Sequence, residues 1–166
     1  MRQSLVPSLE MLVEVARLQK CRLGFAESCT GGLLSAQLAA LPGISDVFQG
    51  SVVSYSYQAK VDLLGVSWDL LKAEGAVSEA VALQMAKGAC RALRCDWSVS
   101  ITGIAGPTGG LPGKPVGTVF FAVHGPHFAQ ASKKLFHGTR NDVQFQSAQY
   151  AVEFLWTAMS QQRSSK

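Results

Sequence analysis

Two consecutive glycines, Gly31-Gly32, stand between a short apolar run and a helical pattern. The run is Leu23 to Ala26. The pattern places Leu34, Leu38 and Leu41 at i, i+4 and i+7, and it stops at Pro42-Gly43. A strand over 22–27 must therefore turn sharply into a helix after Thr30. A chain that makes this turn early is constrained to build helices against a sheet. Glycines at the turn let the backbone pass close to a ligand, and the first amides of the helix have no partner within the helix. The segment Ala26-Glu27-Ser28-Cys29-Thr30-Gly31-Gly32 thus sets Ser28 at the mouth of an amide array. From there a serine can attack a carbonyl whose developing oxyanion the amides accept. The same residues also suit a Ser/Thr N-cap on a glycine-softened turn.

The rest of the chain extends the α/β pattern. Residues 8–20 read as a helix with Leu9, Leu12, Val13 and Ala16 on one face. Val47 to Tyr55 is a β-branched strand, and Tyr57 to Leu64 is a short helix ending at Gly65. Ser67 caps a helix over Trp68 to Ala73. Ser78 caps another, with Ala82, Met85, Ala89 and Leu93 as its buried stripe. Trp97, Val99 and Ile101 alternate along a strand, and a Gly/Pro-rich loop runs from Gly103 to Gly117. A hairpin pairs Thr118–His124 with Phe128–Phe136 about Gly125-Pro126. A last helix spans Asn141 to Met159, with Phe145, Ala148, Val152, Leu155 and Met159 inward. Early alternation and a late hairpin predict an α/β fold, a three-layer α/β/α sandwich on a mixed central sheet. At 166 residues, with no repeat or linker, the chain is expected to be one domain, 1–166.

Composition narrows the partners. No apolar stretch approaches the ~20 residues of a membrane span, and Glu10 and Glu14 interrupt any signal-peptide core, so the expected address is cytoplasmic and no membrane partner is expected. A formal net charge of +4 with scattered basic residues gives no nucleic-acid partner, only a mild preference for an anionic small molecule. Lys133-Lys134 is the one basic pair outside this scatter, placed to guard a sheet edge. The four cysteines lack metal-ligand spacing and read as buried free thiols.

Three further segments carry chemistry. Tyr55-Ser56-Tyr57-Gln58-Ala59-Lys60 closes a strand, where α/β folds gather active-site groups. Lys60, if partly buried and so depressed in pKa, can act as the base for Ser28; otherwise it is a solvated helix-face lysine. Thr102-Gly103-Ile104-Ala105-Gly106-Pro107-Thr108-Gly109-Gly110 exposes amides suited to phosphate or carboxylate, or is a plain surface loop; it is not a P-loop. Arg140, in Gly138-Thr139-Arg140-Asn141-Asp142, can clamp a phosphate or pair with Asp142. His124, His127 and His137 cluster about the hairpin without zinc-site spacing. A Ser-His-Asp triad stays open, although no context singles out a histidine for it.

These segments, in this order, resemble the CinA C-terminal domain family, whose characterised activity is nicotinamide mononucleotide deamidation. The matching pieces are AESCTGG (26–32), PGISDVFQGSVVSYSYQAK (42–60), LLGV (63–66), GAVSEAVALQMAKGA (75–89), TGIAGPTGG (102–110), KPVGTV (114–119) and GTRNDV (138–143). The resemblance implies an α/β/α sandwich and a serine amidohydrolase with a Ser-Lys dyad, no metal and no cofactor. By motif position Ser28 is the nucleophile and Lys60 the base, while Tyr55, Thr102 and Arg140 fall on supporting functional positions. Cys29, Thr30, Gly31, Gly32, Gly103 and Gly106 join Thr102 and Arg140 as expected substrate-binding residues. The implied reaction converts nicotinamide mononucleotide and water to nicotinate mononucleotide and ammonia. A homo-oligomer is implied, with a dimer favoured. Many relatives carry this domain behind a larger nucleotide-related domain; here it is expected to stand alone. The chain departs from the family at Tyr57-Gln58, where Asn-Glu is common, and at Gln144, where a second arginine often stands. A rival reading is a nucleotide-binding or competence-related regulatory module that keeps the pocket without turnover.

Overall fold

The computed structural model describes residues 6–163; the remainder of the domain expected over 1–166, residues 1–5 and 164–166, lies outside the described residues. The chain runs α1 (Val6–Gln19), β1 (Leu23–Glu27), α2 (Leu33–Ala39), a 3-10 turn (Ile44–Asp46), β2 (Phe48–Val53) and α3 (Tyr57–Leu64). It continues with α4 (Trp68–Glu74), α5 (Glu79–Leu93), β3 (Trp97–Gly103), β4 (Thr118–Gly125), β5 (Phe128–Leu135) and α6 (Arg140–Arg163). The sheet has the order β2-β1-β3-β4-β5. Helical crossovers make β2, β1 and β3 parallel, and the hairpin adds β4 and β5 antiparallel. The mixed α/β architecture read from the sequence is the one observed.

Alternation along the strands sorts side chains between two helical layers. Leu23, Phe25, Val99, Ile101, Phe121 and Val123 form the larger core with α1, α2 and α6. On the opposite face Ala26 packs with α3, α4 and α5, and Phe120 and Ala122 pack with Ala82 and Ala86. Strand β3 departs from the expected half-buried pattern, because its polar face is buried too. Ser98 and Ser100 donate 2.6 Å hydrogen bonds to the carbonyls of Ala86 and Ala82 on α5. Small hydroxyl residues facing alanines let the helix lie close to the sheet while both serine hydroxyls keep a partner. Gly88 serves the same close packing, since a Cβ there would collide with the Leu64 backbone.

Boundaries shift for local reasons. Helix α2 begins at Leu33 and not just after Thr30, because Gly31 (φ 60°) and Gly32 (φ 100°) are left-handed. The predicted strand 47–55 shortens to an edge strand, and Ser54 to Ser56 lead into α3. The hairpin turns at Pro126-His127, with His127 at φ 57°. Lys133 and Lys134 lie on the other edge strand, β5, and Lys134 Nζ sits 4.6 Å from the Tyr150 ring centroid. Of the four cysteines only Cys21 and Cys29 are buried; Cys90 and Cys95 are half-buried. No helix among the described residues is long and apolar enough to cross a membrane.

The chain leaves β1 toward β2 on one side and returns to β3 on the other. Ligands of open α/β sheets bind at such a reversal, beyond the carboxyl ends of the strands. The residues following β1 and β2 and the end of β3 meet there.

Candidate active site

Ser28 follows β1 directly, and its amide extends the ladder to the carbonyl of Ile101 at 3.0 Å. The chain then doubles back, so that the Gly31 amide donates to the Ser28 carbonyl (3.0 Å) and Leu33 to Thr30 (3.1 Å). The left-handed glycines make this turn possible at little steric cost.

Glu27 organises the turn from beneath, a role that the motif alone does not reveal. Its carboxylate is fully buried. Oε2 accepts from Thr30 Oγ1 (2.8 Å) and from the amides of Gly32 and Leu34 (3.1 Å each). Oε1 accepts from the Ser35 amide (2.9 Å) and from Ser51 Oγ (3.2 Å). The carboxylate thus occupies the orphan amides at the start of α2, where the helix dipole also favours a negative charge. Its one sequence signal is a carboxylate at the end of an otherwise apolar strand. Glu27→Gln replaces one accepting oxygen by a donor that faces donors. It is expected to destabilise the domain by roughly 2–4 kcal/mol, measurable by chemical denaturation.

This arrangement corrects the amide array expected from Cys29 to Gly32. The amides of Gly31 and Gly32 are already occupied, and Thr30, Gly31 and Gly32 do not border the pocket. The amides of Cys29 and Thr30 donate to no acceptor among the described residues. The peptide between them is fixed from outside, because Gln144 Nε2 donates to the Cys29 carbonyl at 2.7 Å.

Lys60 is brought inward by the start of α3. Ser56 caps that helix, its Oγ accepting from the Ala59 amide at 3.0 Å. One turn later the Lys60 side chain is fully buried. Nζ donates to the Ser54 carbonyl (2.6 Å) and to Ser28 Oγ (2.8 Å). The structure therefore joins the two residues that the sequence offered as nucleophile and base. Burial lowers the Lys60 pKa from 10.5 to about 8. Burial also pushes the Cys29 thiol up to about 12, so this neighbour stays protonated and uncharged at neutral pH.

The pocket above the pair has a volume of about 260 Å³ and is bordered by Ser28, Cys29, Tyr55, Lys60, Thr102, Arg140, Ala76, Val77 and residues between Gly103 and Gly109. Thr102 is buried in the wall, where its hydroxyl donates to the Ala76 carbonyl at 2.7 Å. Arg140 does not pair with Asp142. Its Nη2 donates to the Tyr55 hydroxyl (2.7 Å) and its Nη1 to the Gly106 carbonyl (2.8 Å). Asp142 instead accepts from the Thr139 amide and hydroxyl, and these bonds hold its carboxyl below the usual range. Tyr55 is 61% exposed, so it and Arg140 form the rim and not the floor. None of the three histidines borders the pocket, and the titratable group in contact with Ser28 is Lys60.

The CinA C-terminal domain family matches residues 7–159. This chain belongs to the CinA C-terminal domain family. A CinA-like protein of Syntrophobacter fumaroxidans is 48% identical over 153 residues, covering 92% of this chain and 36% of the relative. A putative competence-damage inducible protein of Moorella thermoacetica is 45% identical, covering 84% of this chain and 34% of the relative. The chain spans about a third of the length of the curated relatives it matches. Among solved structures, a CinA superfamily protein from Klebsiella pneumoniae superposes with a TM-score of 0.92 at 31% identity, covering 96% of this chain and 99% of the other. A CinA superfamily protein from Escherichia coli gives 0.89 at 34% identity, covering 93% and 90%.

The departures from the CinA pattern have definite places. Tyr57 and Gln58 do not border the pocket. The Tyr57 hydroxyl accepts from the Ala76 amide at 3.2 Å and its ring lies 6.4 Å from that of Trp68. It braces the residue whose carbonyl holds Thr102. Gln58 donates to Asp62 at 2.8 Å on the outer face of α3. Gln144 is the departure that touches the turn, through Cys29.

Proposed function

We propose that this domain is an amidohydrolase that deamidates nicotinamide mononucleotide to nicotinate mononucleotide and ammonia. The observation that carries the chemistry is the 2.8 Å contact between Ser28 Oγ and a fully buried Lys60 Nζ. The substrate follows from the family resemblance.

A lysine at about 8 is neutral in roughly a tenth of molecules at pH 7. In that form Nζ accepts the Ser28 proton while Oγ attacks the carboxamide carbon. The negative charge that develops on the carboxamide oxygen goes to the amide of Cys29, the open donor of this turn that belongs to a pocket residue. Lys60, now an ammonium, returns its proton to the departing ammonia, and a nicotinoyl ester remains on Ser28. Water attacks the ester, Lys60 takes a proton from it and passes that proton to Ser28 Oγ, and the acid leaves with Ser28 restored. The Ser54 carbonyl holds Nζ in line throughout. A module that only bound a nucleotide would have no use for a buried amine on a serine hydroxyl. Ammonia release from nicotinamide mononucleotide by the purified protein tests this reading, and absence of release at any pH would refute it.

Arg140 and the Gly103–Gly109 loop border the pocket but lie outside the Ser28–Lys60 contact. In this reading Arg140 holds the 5′-phosphate, using remote binding energy to keep the carboxamide against Ser28. Nicotinamide riboside, without the phosphate, is expected to be a much poorer substrate. Arg140→Ala is expected to lower kcat/KM for the mononucleotide about 10–150-fold, the equivalent of a charge-assisted contact of roughly 1.5–3 kcal/mol, and to change the riboside little. Equal losses on both would assign Arg140 to holding Tyr55 and Gly106 alone.

A further inference from the structure

The C-terminal cap of α5 brings two thiols together far from the pocket. Arg94, the residue after the helix, is left-handed (φ 50°), and the Cys95 amide donates back to the Cys90 carbonyl at 3.2 Å. This is the six-to-one bond of a Schellman cap, whose geometry brings the two flanking side chains into contact. In most helices that contact is hydrophobic. Here both side chains are cysteine, and their Sγ atoms lie 3.8 Å apart.

Both thiols are half-buried and therefore reachable. Cys90 Sγ also lies 3.8 Å from the His124 carbonyl, and His124 Nδ1 is buried without a partner among the described residues. Gly24 makes room on the sheet side, since a Cβ there would lie 2.7 Å from Cys95 Sγ. We infer that Cys90 and Cys95 form a thiol–disulfide exchange site for a low-molecular-weight disulfide, with Cys90 attacking and Cys95 resolving.

Electrostatics assign the order. Cys95 Sγ donates to Cys90 Sγ, and this bond lowers the Cys90 pKa against the effect of burial. Cys95 is pushed up, first by its bond to the Cys90 sulfur. Cys90 is therefore the first of the two to ionise. With oxidised glutathione as the probe, Cys90 attacks one sulfur, the glutathione disulfide breaks, and one glutathione leaves as a thiolate that takes up a proton. The mixed disulfide removes the charge that held the Cys95 proton. Cys95 then loses its proton and attacks the Cys90 sulfur, and the second glutathione leaves. Two protein thiols are oxidised to one disulfide and one glutathione disulfide is reduced to two thiols. The sulfurs must close from 3.8 Å to about 2.05 Å, a side-chain rotation within one cap.

The test is oxidation of the whole protein in excess oxidised glutathione at pH 7, followed by alkylation and a non-reduced tryptic digest. Two of the four thiols are expected to be lost, with the peptide holding Cys90 joined to the peptide that begins at Cys95. Cys90 is expected to be modified roughly tenfold or more faster than Cys21 or Cys29. Cys95→Ser is expected to stop at glutathione on Cys90. Four intact thiols in the folded protein, glutathione on Cys95 instead of Cys90, or a disulfide that uses Cys21 or Cys29 would each overturn the assignment. Neither cysteine borders the pocket, so the Cys95→Ser variant is expected to keep its deamidation rate, which separates this result from the fate of the proposed activity.

Discussion

Ser28→Ala is expected to lower the rate of ammonia release by roughly 10⁴-fold or more, the scale seen when a nucleophile is removed from a serine hydrolase. Stability is expected to fall by only about 1 kcal/mol, because the hydroxyl makes one hydrogen bond, to Lys60. The control is the adjacent residue. Thiols are intrinsically the better nucleophiles, so Cys29 is the natural competitor. It is a weak one here, because burial holds it as a thiol with a pKa of about 12. Cys29→Ala is therefore expected to stay within about tenfold of the parent rate. An active Ser28→Ala beside an inert Cys29→Ala, with both variants folded by circular dichroism, would reverse the assignment.

Lys60 gives the second large effect. Lys60→Met and Lys60→Arg both remove the base, since a guanidinium does not give up its proton in a protein. Each is expected to lose about 10²–10⁴-fold in kcat/KM. Lys60→Met also reports on stability. A lysine whose folded pKa lies below its unfolded value penalises the native state fully below the folded pKa, and the penalty disappears above the unfolded one. For Lys60 that window runs from about 8 to 10.5. The stability of the parent relative to Lys60→Met is therefore expected to rise by roughly 3 kcal/mol across it. Taking the difference cancels the groups that titrate there without sensing Lys60. A constant difference would mean that Lys60 keeps its ordinary pKa when folded.

Much of this site was legible because local signals were strong and agreed. Gly31-Gly32, Ser56 and Ser78 mark real backbone events, and the serines cap the helices they precede. The early alternation and the late hairpin carried the sheet. What escaped the sequence depended on residues distant in the chain or on direction. Glu27 at the end of a strand reads as an ordinary solvent-facing terminus until the fold turns it under α2. Gln144 lies 115 residues from the carbonyl it holds. The amide array was drawn too wide because a sequence does not say which helix-start amides another side chain will claim. For Arg140 the sequence offers a phosphate or Asp142, its neighbour in the chain, whereas its protein partners, Tyr55 and Gly106, come from the segment after β2 and from the glycine loop.

The central claim is that a neutral, buried lysine lets Ser28 break the carboxamide of nicotinamide mononucleotide. It is tested most directly by kcat/KM for ammonia release measured between pH 6 and pH 10. The expected result is a tenfold rise per pH unit at low pH, levelling off through about 8, the value to which burial lowers Lys60. A profile that levels off near the ordinary histidine range of about 6.5, or no release of ammonia at any pH, would contradict it.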